Sequence, residues 1–175
     1  MLAHELHHAW RNQWEDSILS NEDDAVWTLK QVMLEGIADR INIAASLSSS
    51  EAKARFAENE NGRNYLKHLG RCPEIIHAMD ALLLKMAKEP SQRETLGREF
   101  KQLAPRSGHL PGYYMATMIE TQLGKTSLIK DQINPANFFL LYDEAAAKDG
   151  KAPRFSEGAK TYLRHLGRNF EPFKL

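Results

Sequence analysis

The amino-acid sequence predicts an all-α protein, a single compact helical domain, and three observations carry that expectation. Apolar residues recur at helical spacing along most of the 175-residue chain. No run alternates apolar and polar residues for long enough to read as a strand. Residues that start and stop helices stand at regular intervals: Asn21 or Asp23, Pro73, Ser91, Pro135 and Ser156 at starts, with Gly124 and Gly150 near stops.

Taken in order, a first helix begins at or before Leu2 and runs to about Ser17, and a second, capped by Asn21 or Asp23, continues through Ile43. The Ser48 to Ser50 cluster leads into a helix around Glu51 to Glu58, and Asn59 to Asn64, with Gly62, reads as a loop. Pro73 suits the first turn of a helix reaching about Ala87, and Ser91 caps another that ends before Pro105. Arg106 to Pro111 reads as a loop with Gly108, followed by helices from about Gly112 to Leu123, Pro135 to Lys148 and Ser156 to Leu166. Trp10, Trp14, Trp27, Phe138 and Phe139 fall at helical spacing with aliphatic neighbours and are expected in the core.

No composition shift, long linker or repeat divides the chain, so residues 1–175 are expected to form one domain. The 23 basic and 23 acidic side chains cancel, which argues against a nucleic-acid or membrane-surface partner, both of which favour a basic excess. The single cysteine, Cys72, has no internal disulfide partner and reads as a small apolar side chain. No apolar run reaches the roughly 18 residues needed to span a bilayer, and a cytoplasmic protein is expected. Because the most informative motif begins three residues after Met1, an upstream segment, and a signal peptide with it, is an alternative expectation.

That motif is His4-Glu5-Leu6-His7-His8, which contains H-E-x-x-H. Residues four apart on a helix lie one above the other, so His4 and His8 can share one metal ion, and Glu5 beside them can reach a water in the metal's open position. His4 and His7 are also helical neighbours, but only the His4 and His8 pair leaves Glu5 where a base is needed; His7 is assigned to the surface or to support of the ligands. A catalytic zinc needs a third protein ligand. About thirty residues on, Glu35-Gly36-Ile37-Ala38-Asp39 reads E-x-x-x-D and sets two carboxylates on one helical face. Glu35 is the expected third ligand, and Asp39 the acceptor that fixes a ligand histidine through its free ring N–H.

With H-E-x-x-H on one helix and E-x-x-x-D on the next, the sequence resembles the gluzincin metalloproteases and a group of uncharacterised zinc-dependent bacterial peptidases. The likeness extends to Gly108-His109-Leu110-Pro111-Gly112-Tyr113-Tyr114-Met115-Ala116 and to Asn134–Ala146. It implies a helical half of a zincin-like fold, one zinc held by His4, His8 and Glu35, Glu5 as general base, Asp39 in support, and a peptide or protein as substrate. Gluzincins place a small sheet before the histidine helix; with the motif three residues after Met1, residues 1–175 are expected to lack it. Hydrolysis of an amide also needs a donor for the developing negative charge, for which His109 and Tyr113 are favoured. Tyr113 and Tyr114 leave a helix about 100 degrees apart, so at most one of them serves.

The remaining histidines, His68, His77 and His165, are expected to be structural, and Arg11 and Arg40 to make ordinary ion pairs. Two other functions compete. Glu5-x-x-His8 and Glu74-x-x-His77 are both E-x-x-H pairs, as in a ferritin-like di-iron oxidoreductase, although no glutamate precedes Glu5 to complete such a site. Alternatively, a zinc-binding scaffold without turnover would share every one of these motifs.

Overall fold

The computed structural model describes residues 5, 6, 9, 23–130 and 134–170. These residues form helices and connecting turns, with no strand among them. Glu5, Leu6 and Ala9 are helical, and the rest of the expected first helix lies outside the described residues, with His4, His7, His8, Trp10, Arg11 and Trp14. From Asp24 onward the α-helices are α1 (Asp24–Ile43), α2 (Ser50–Phe56), α3 (Glu60–Leu69), α4 (Cys72–Lys88), α5 (Arg93–Gln102), α6 (His109–Leu123), α7 (Lys125–Lys130), α8 (Pro135–Asp149) and α9 (Glu157–Gly167).

Local chemistry explains most of these boundaries. Asp23 caps α1, its side chain accepting the Val26 N–H at 2.8 Å, and it also pairs with Arg93, which ties the start of α1 to α5. Asn134 caps α8 through the N–H groups of Ala136 and Asn137, and Pro135 needs no donor in the first turn. Helix α8 ends where Gly150 takes φ 75°, the left-handed conformation that relieves the last carbonyls. Ser156 caps α9 and is itself held by Asp80 of α4 at 2.7 Å.

Four expectations are corrected. Asn59 to Asn64 is no loop: Asn59 caps α3 by accepting the Gly62 N–H at 2.8 Å, so the asparagines and glycine that read as a turn are the first turn of a helix. Ser91 does not cap α5; it lies in a 3-10 turn, Pro90–Gln92, and α5 starts at Arg93 without a side-chain cap. Helix α6 starts at His109, three residues before Gly112, because Pro111 in a first turn costs no hydrogen bond. Trp27 is half-buried at the surface, with the Lys101 ammonium 4.3 Å from its ring centroid, an arrangement that holds the indole under a cation.

The core lies where α1, α4, α5, α6, α8 and α9 meet, and it includes Leu29, Val32, Met33, Ile76, Leu83, Phe100, Met115, Tyr142 and Leu163. Phe138 and Phe139 are buried in it as expected. A smaller apolar cluster of Tyr65, Cys72 and Leu110 forms a second nucleus between α3 and the start of α6. Cys72 is wholly buried there, and desolvation pushes its thiol up to about 12, so it behaves as the inert apolar side chain anticipated.

Helices α1 and α6 approach backbone to backbone. A Cβ added to Gly36 would stand 2.3 Å from the Gly112 carbonyl carbon, and one added to Gly112 would stand 2.0 Å from the Val32 oxygen. Gly108 presses on Val32 in the same way, and Arg40 pairs with Glu120 at 2.7 Å further along. Both helices therefore run in the same sense, with backbone against backbone through the first turn of α6. Only glycine permits such contact.

Candidate active site

The glycine crossing sets the first turn of α6 against the face of α1 that carries Glu35 and Asp39. These two carboxylates, four residues apart, share a face as their spacing requires. His109, the first residue of α6, fits between them: its Nε2 is 3.2 Å from Glu35 Oε2 and its Nδ1 is 3.0 Å from Asp39 Oδ2. The Asp39 side chain is buried, 5% exposed, whereas Glu35 and His109 remain partly open at 14% and 29%. A buried carboxylate thus orients an imidazole whose other nitrogen faces a more accessible carboxylate.

Tyr65, from α3, completes the group by donating its hydroxyl to Asp39 Oδ2 at 3.2 Å. Burial is the main force raising the Tyr65 hydroxyl above its ordinary range, and the Asp39 charge adds to it, so the phenol stays protonated and remains a donor. The hydrogen bond to Asp39 is the main reason that the His109 pKa is raised; burial opposes it, the charges of Asp39 and Glu35 reinforce it, and Arg106 opposes it.

An open cleft of about 400 Å³ lies over these groups, lined by Asp39, Ile43, Tyr65, Arg106, Ser107 and His109. Its rim includes an unusual stretch of backbone. Arg106 and Ser107 have φ 52° and 54°, and Gly108 follows at 92°, which makes three successive left-handed residues just before His109. For the two residues with a Cβ this conformation costs about 1 kcal/mol each. Such strain concentrates at sites where geometry serves something other than stability.

Of the residues expected in the site, Glu35, Asp39 and His109 come together as described. Tyr113 is buried one step behind, its ring packed edge-on against Tyr65 at 6.2 Å between centroids, while Tyr114 turns the other way, onto Tyr142. Glu5 is helical and exposed, and His4 and His8 lie outside the described residues. The sequence reading missed Tyr65 and Arg106. A tyrosine on an amphipathic helix gives no signal of its partner, and Arg106 stood in a segment taken for an ordinary loop. Arg40 makes the ion pair expected of it, with Glu120. Glu74 and His77, which a di-iron bundle would need facing inward, are both exposed, and Glu74 lies 3.5 Å from Arg71.

Over residues 1–151 the chain matches the family described as "Putative zinc dependent peptidase (DUF5700)". The chain belongs to that family. No curated protein and no solved structure matches it. The matched region holds Glu5, Glu35, Asp39, Tyr65, Arg106 and His109 and ends before α9.

The donor chemistry is compatible with the zinc dependence named in that description. A glutamate oxygen and an imidazole nitrogen, both zinc-ligand types, approach each other beside one cleft. Among the described residues no group of three or more potential ligands is arranged to hold a metal ion by itself.

Proposed function

We propose that the protein is a zinc metallopeptidase of the gluzincin type, with one zinc held by His4, His8 and Glu35 and with Glu5 as the general base. The observation that most supports this reading is the Asp39, His109 and Glu35 array at the cleft, because it joins the predicted third ligand to an oriented proton donor. When bound, zinc would polarise the scissile carbonyl and acidify the attacking water.

The chain's own residues supply the rest. Glu5 takes the proton from the water and delivers it to the departing amine, the two transfers that amide hydrolysis requires. Asp39 accepts the Nδ1–H of His109 and fixes the ring, so that Nε2–H is the end that meets the substrate. Were Glu35 to hold the zinc, that N–H would be free to meet the oxygen on which negative charge develops. Tyr113, buried behind Tyr65, is the second donor in this reading, and the substrate is a peptide or protein.

Glu5→Gln tests the proposal, since it preserves shape and removes basicity. The variant should keep its zinc and its helical circular dichroism while losing hydrolysis of an unstructured protein by about 100-fold or more. Full activity would refute the assigned base. Loss of metal would instead favour a di-metal oxidoreductase, in which Glu5 is itself a ligand.

A further inference from the structure

The cleft has one feature that general acid and base chemistry leaves unused. Its lining holds the buried Asp39, which shares His109 with Glu35, and also the exposed Arg106 and Ser107. Asp39 is engaged with His109 and Tyr65, and among the described residues the Arg106 guanidinium has no hydrogen bond or ion pair. The chain holds this arginine in a left-handed conformation that glycine would adopt without strain, and glycine does occupy the position two residues on. An arginine kept in a strained backbone, exposed, without an ion pair among the described residues and lining the cleft has the properties of a ligand contact. Ile43 and the Tyr65 ring in the same lining offer apolar surface for a hydrophobic body.

We propose that Arg106 determines substrate choice by pairing with a carboxylate close to the scissile bond, so that the substrates are peptides bearing either a free C-terminus or an acidic side chain at that point. The inference rests on the peptidase reading for the word substrate, but carboxylate binding by Arg106 can be measured without any cleavage. The chemistry is direct: a guanidinium presents parallel N–H donors that match the two carboxylate oxygens, and lysine does not reproduce that fork. Arg106 is the permanently charged cation of the cleft lining, so an incoming carboxylate finds a fixed countercharge there.

Binding is read first with probes that contain no peptide bond to cleave, 3-phenylpropionate and 3-phenylpropionamide, by calorimetry on the full zinc-loaded chain. The acid should bind roughly 10-fold or more tightly than the amide, the scale of a charge-assisted hydrogen bond. Arg106→Gly should abolish that preference, and Arg106→Lys should restore part of it. Arg106→Gly should also melt at the parental temperature or above it, because the strain is relieved, which separates lost recognition from lost folding. A preference that survives in Arg106→Gly, or no preference in the parent, overturns the proposal.

Cleavage then identifies the source of the carboxylate. Acetyl-Ala-Phe-Leu with a free C-terminus is compared with acetyl-Ala-Phe-Glu amide, in which the only carboxylate is a side chain. The substrate whose kcat/KM falls about 10-fold in Arg106→Gly names the source, and equal rates for parent and variant on both substrates overturn the proposal. Failure of the parent to cut any peptide, with the binding preference intact, would count against the peptidase reading and leave carboxylate recognition standing.

Discussion

Asp39 and Asp143 are buried to the same degree, each 4% exposed, and they are held in opposite ways. Asp143, on α8, meets fixed cations: Arg154 at 2.7 Å and Lys160 at 3.2 Å, with the Phe155 N–H donating at 2.8 Å. Asp39, on α1, meets an imidazole and a phenol, neither of which carries a permanent charge. A carboxylate that a fold uses as a rivet is neutralised permanently. One that serves chemistry is held by partners that orient it and leave its charge available to a metal or to a protonated histidine. The difference separates the acid that lines the cleft from the equally buried acid that ties α8 to α9.

The largest expected effect is at the riveted end. Asp143→Ala should cost about 3 kcal/mol of folding stability, because it removes the tie between α8 and α9 and leaves the buried Lys160, whose side chain is 9% exposed, to the exposed Glu157. Denaturant titration measures this, and zinc affinity should be unchanged. Acid should act through the same group. Burial alone would raise the Asp143 carboxyl, but Arg154, the Phe155 N–H and Lys160 outweigh it and hold it below its ordinary 3.8. Its contribution is therefore complete above that value and is lost as pH falls through the lower folded pKa. The parent should lose stability in that acid range, and Asp143→Ala should show a flatter profile there.

The contrasting substitution is Asp39→Ala. It should leave most of the stability in place and weaken zinc by roughly 10- to 100-fold, the usual consequence of removing a carboxylate that orients neighbours of a metal. Competition with a chelating dye reads it. Should Asp39→Ala cost as much stability as Asp143→Ala while zinc affinity stays unchanged, the distinction between the two acids would collapse.

An intermediate effect is expected at the crossing that joins Asp39 to His109. Gly112→Ala forces a methyl against the Val32 carbonyl, where it would stand 2.0 Å away, so α1 and α6 must separate. Overpacking of this kind costs about 1–3 kcal/mol. Because the same contact sets His109 between Glu35 and Asp39, catalysis should fall further than stability alone accounts for, measured as turnover at a temperature where the variant is fully folded.

The helices were legible in the sequence because their periodicity and caps are local. Asp23, Asn134, Pro135, Ser156 and Gly150 act where sequence chemistry puts them. Pairing Glu35 with Asp39 was equally local, a matter of four residues on one helix. What was not legible depends on contacts between distant segments. Tyr65 joins Asp39 across 26 residues, and nothing near Tyr65 announces it. Gly108 read as loop punctuation and Gly112 as a helix start, although together they let the start of α6 lie on Val32 and Gly36. Asn59 and Gly62 were read as a turn because capping residues and turn residues are the same amino acids, used for the same local hydrogen bonds.

The smallest expected effect is at Tyr65, and it bears most directly on how Asp39 is held. Tyr65→Phe keeps the ring that packs edge-on against Phe56 and Tyr113 and removes only the hydroxyl that donates to Asp39. The loss should be about 1 kcal/mol of stability, the net worth of one buried hydrogen bond. At the riveted end the equivalent removal of one partner, such as Arg154, leaves Asp143 with a second cation and a backbone donor. At Asp39 the phenol and the imidazole share one oxygen, Oδ2, so removing the hydroxyl changes the surroundings of the same atom that holds His109. Tyr65→Phe should therefore loosen the orientation of His109 and reduce kcat by a few-fold while KM changes little, because the ring acts on developing charge and contributes less to ground-state binding. A rise in KM with kcat unchanged would instead assign Tyr65 to the substrate wall of the cleft, beside Ile43, and would leave Asp39 held by His109 without help from the phenol.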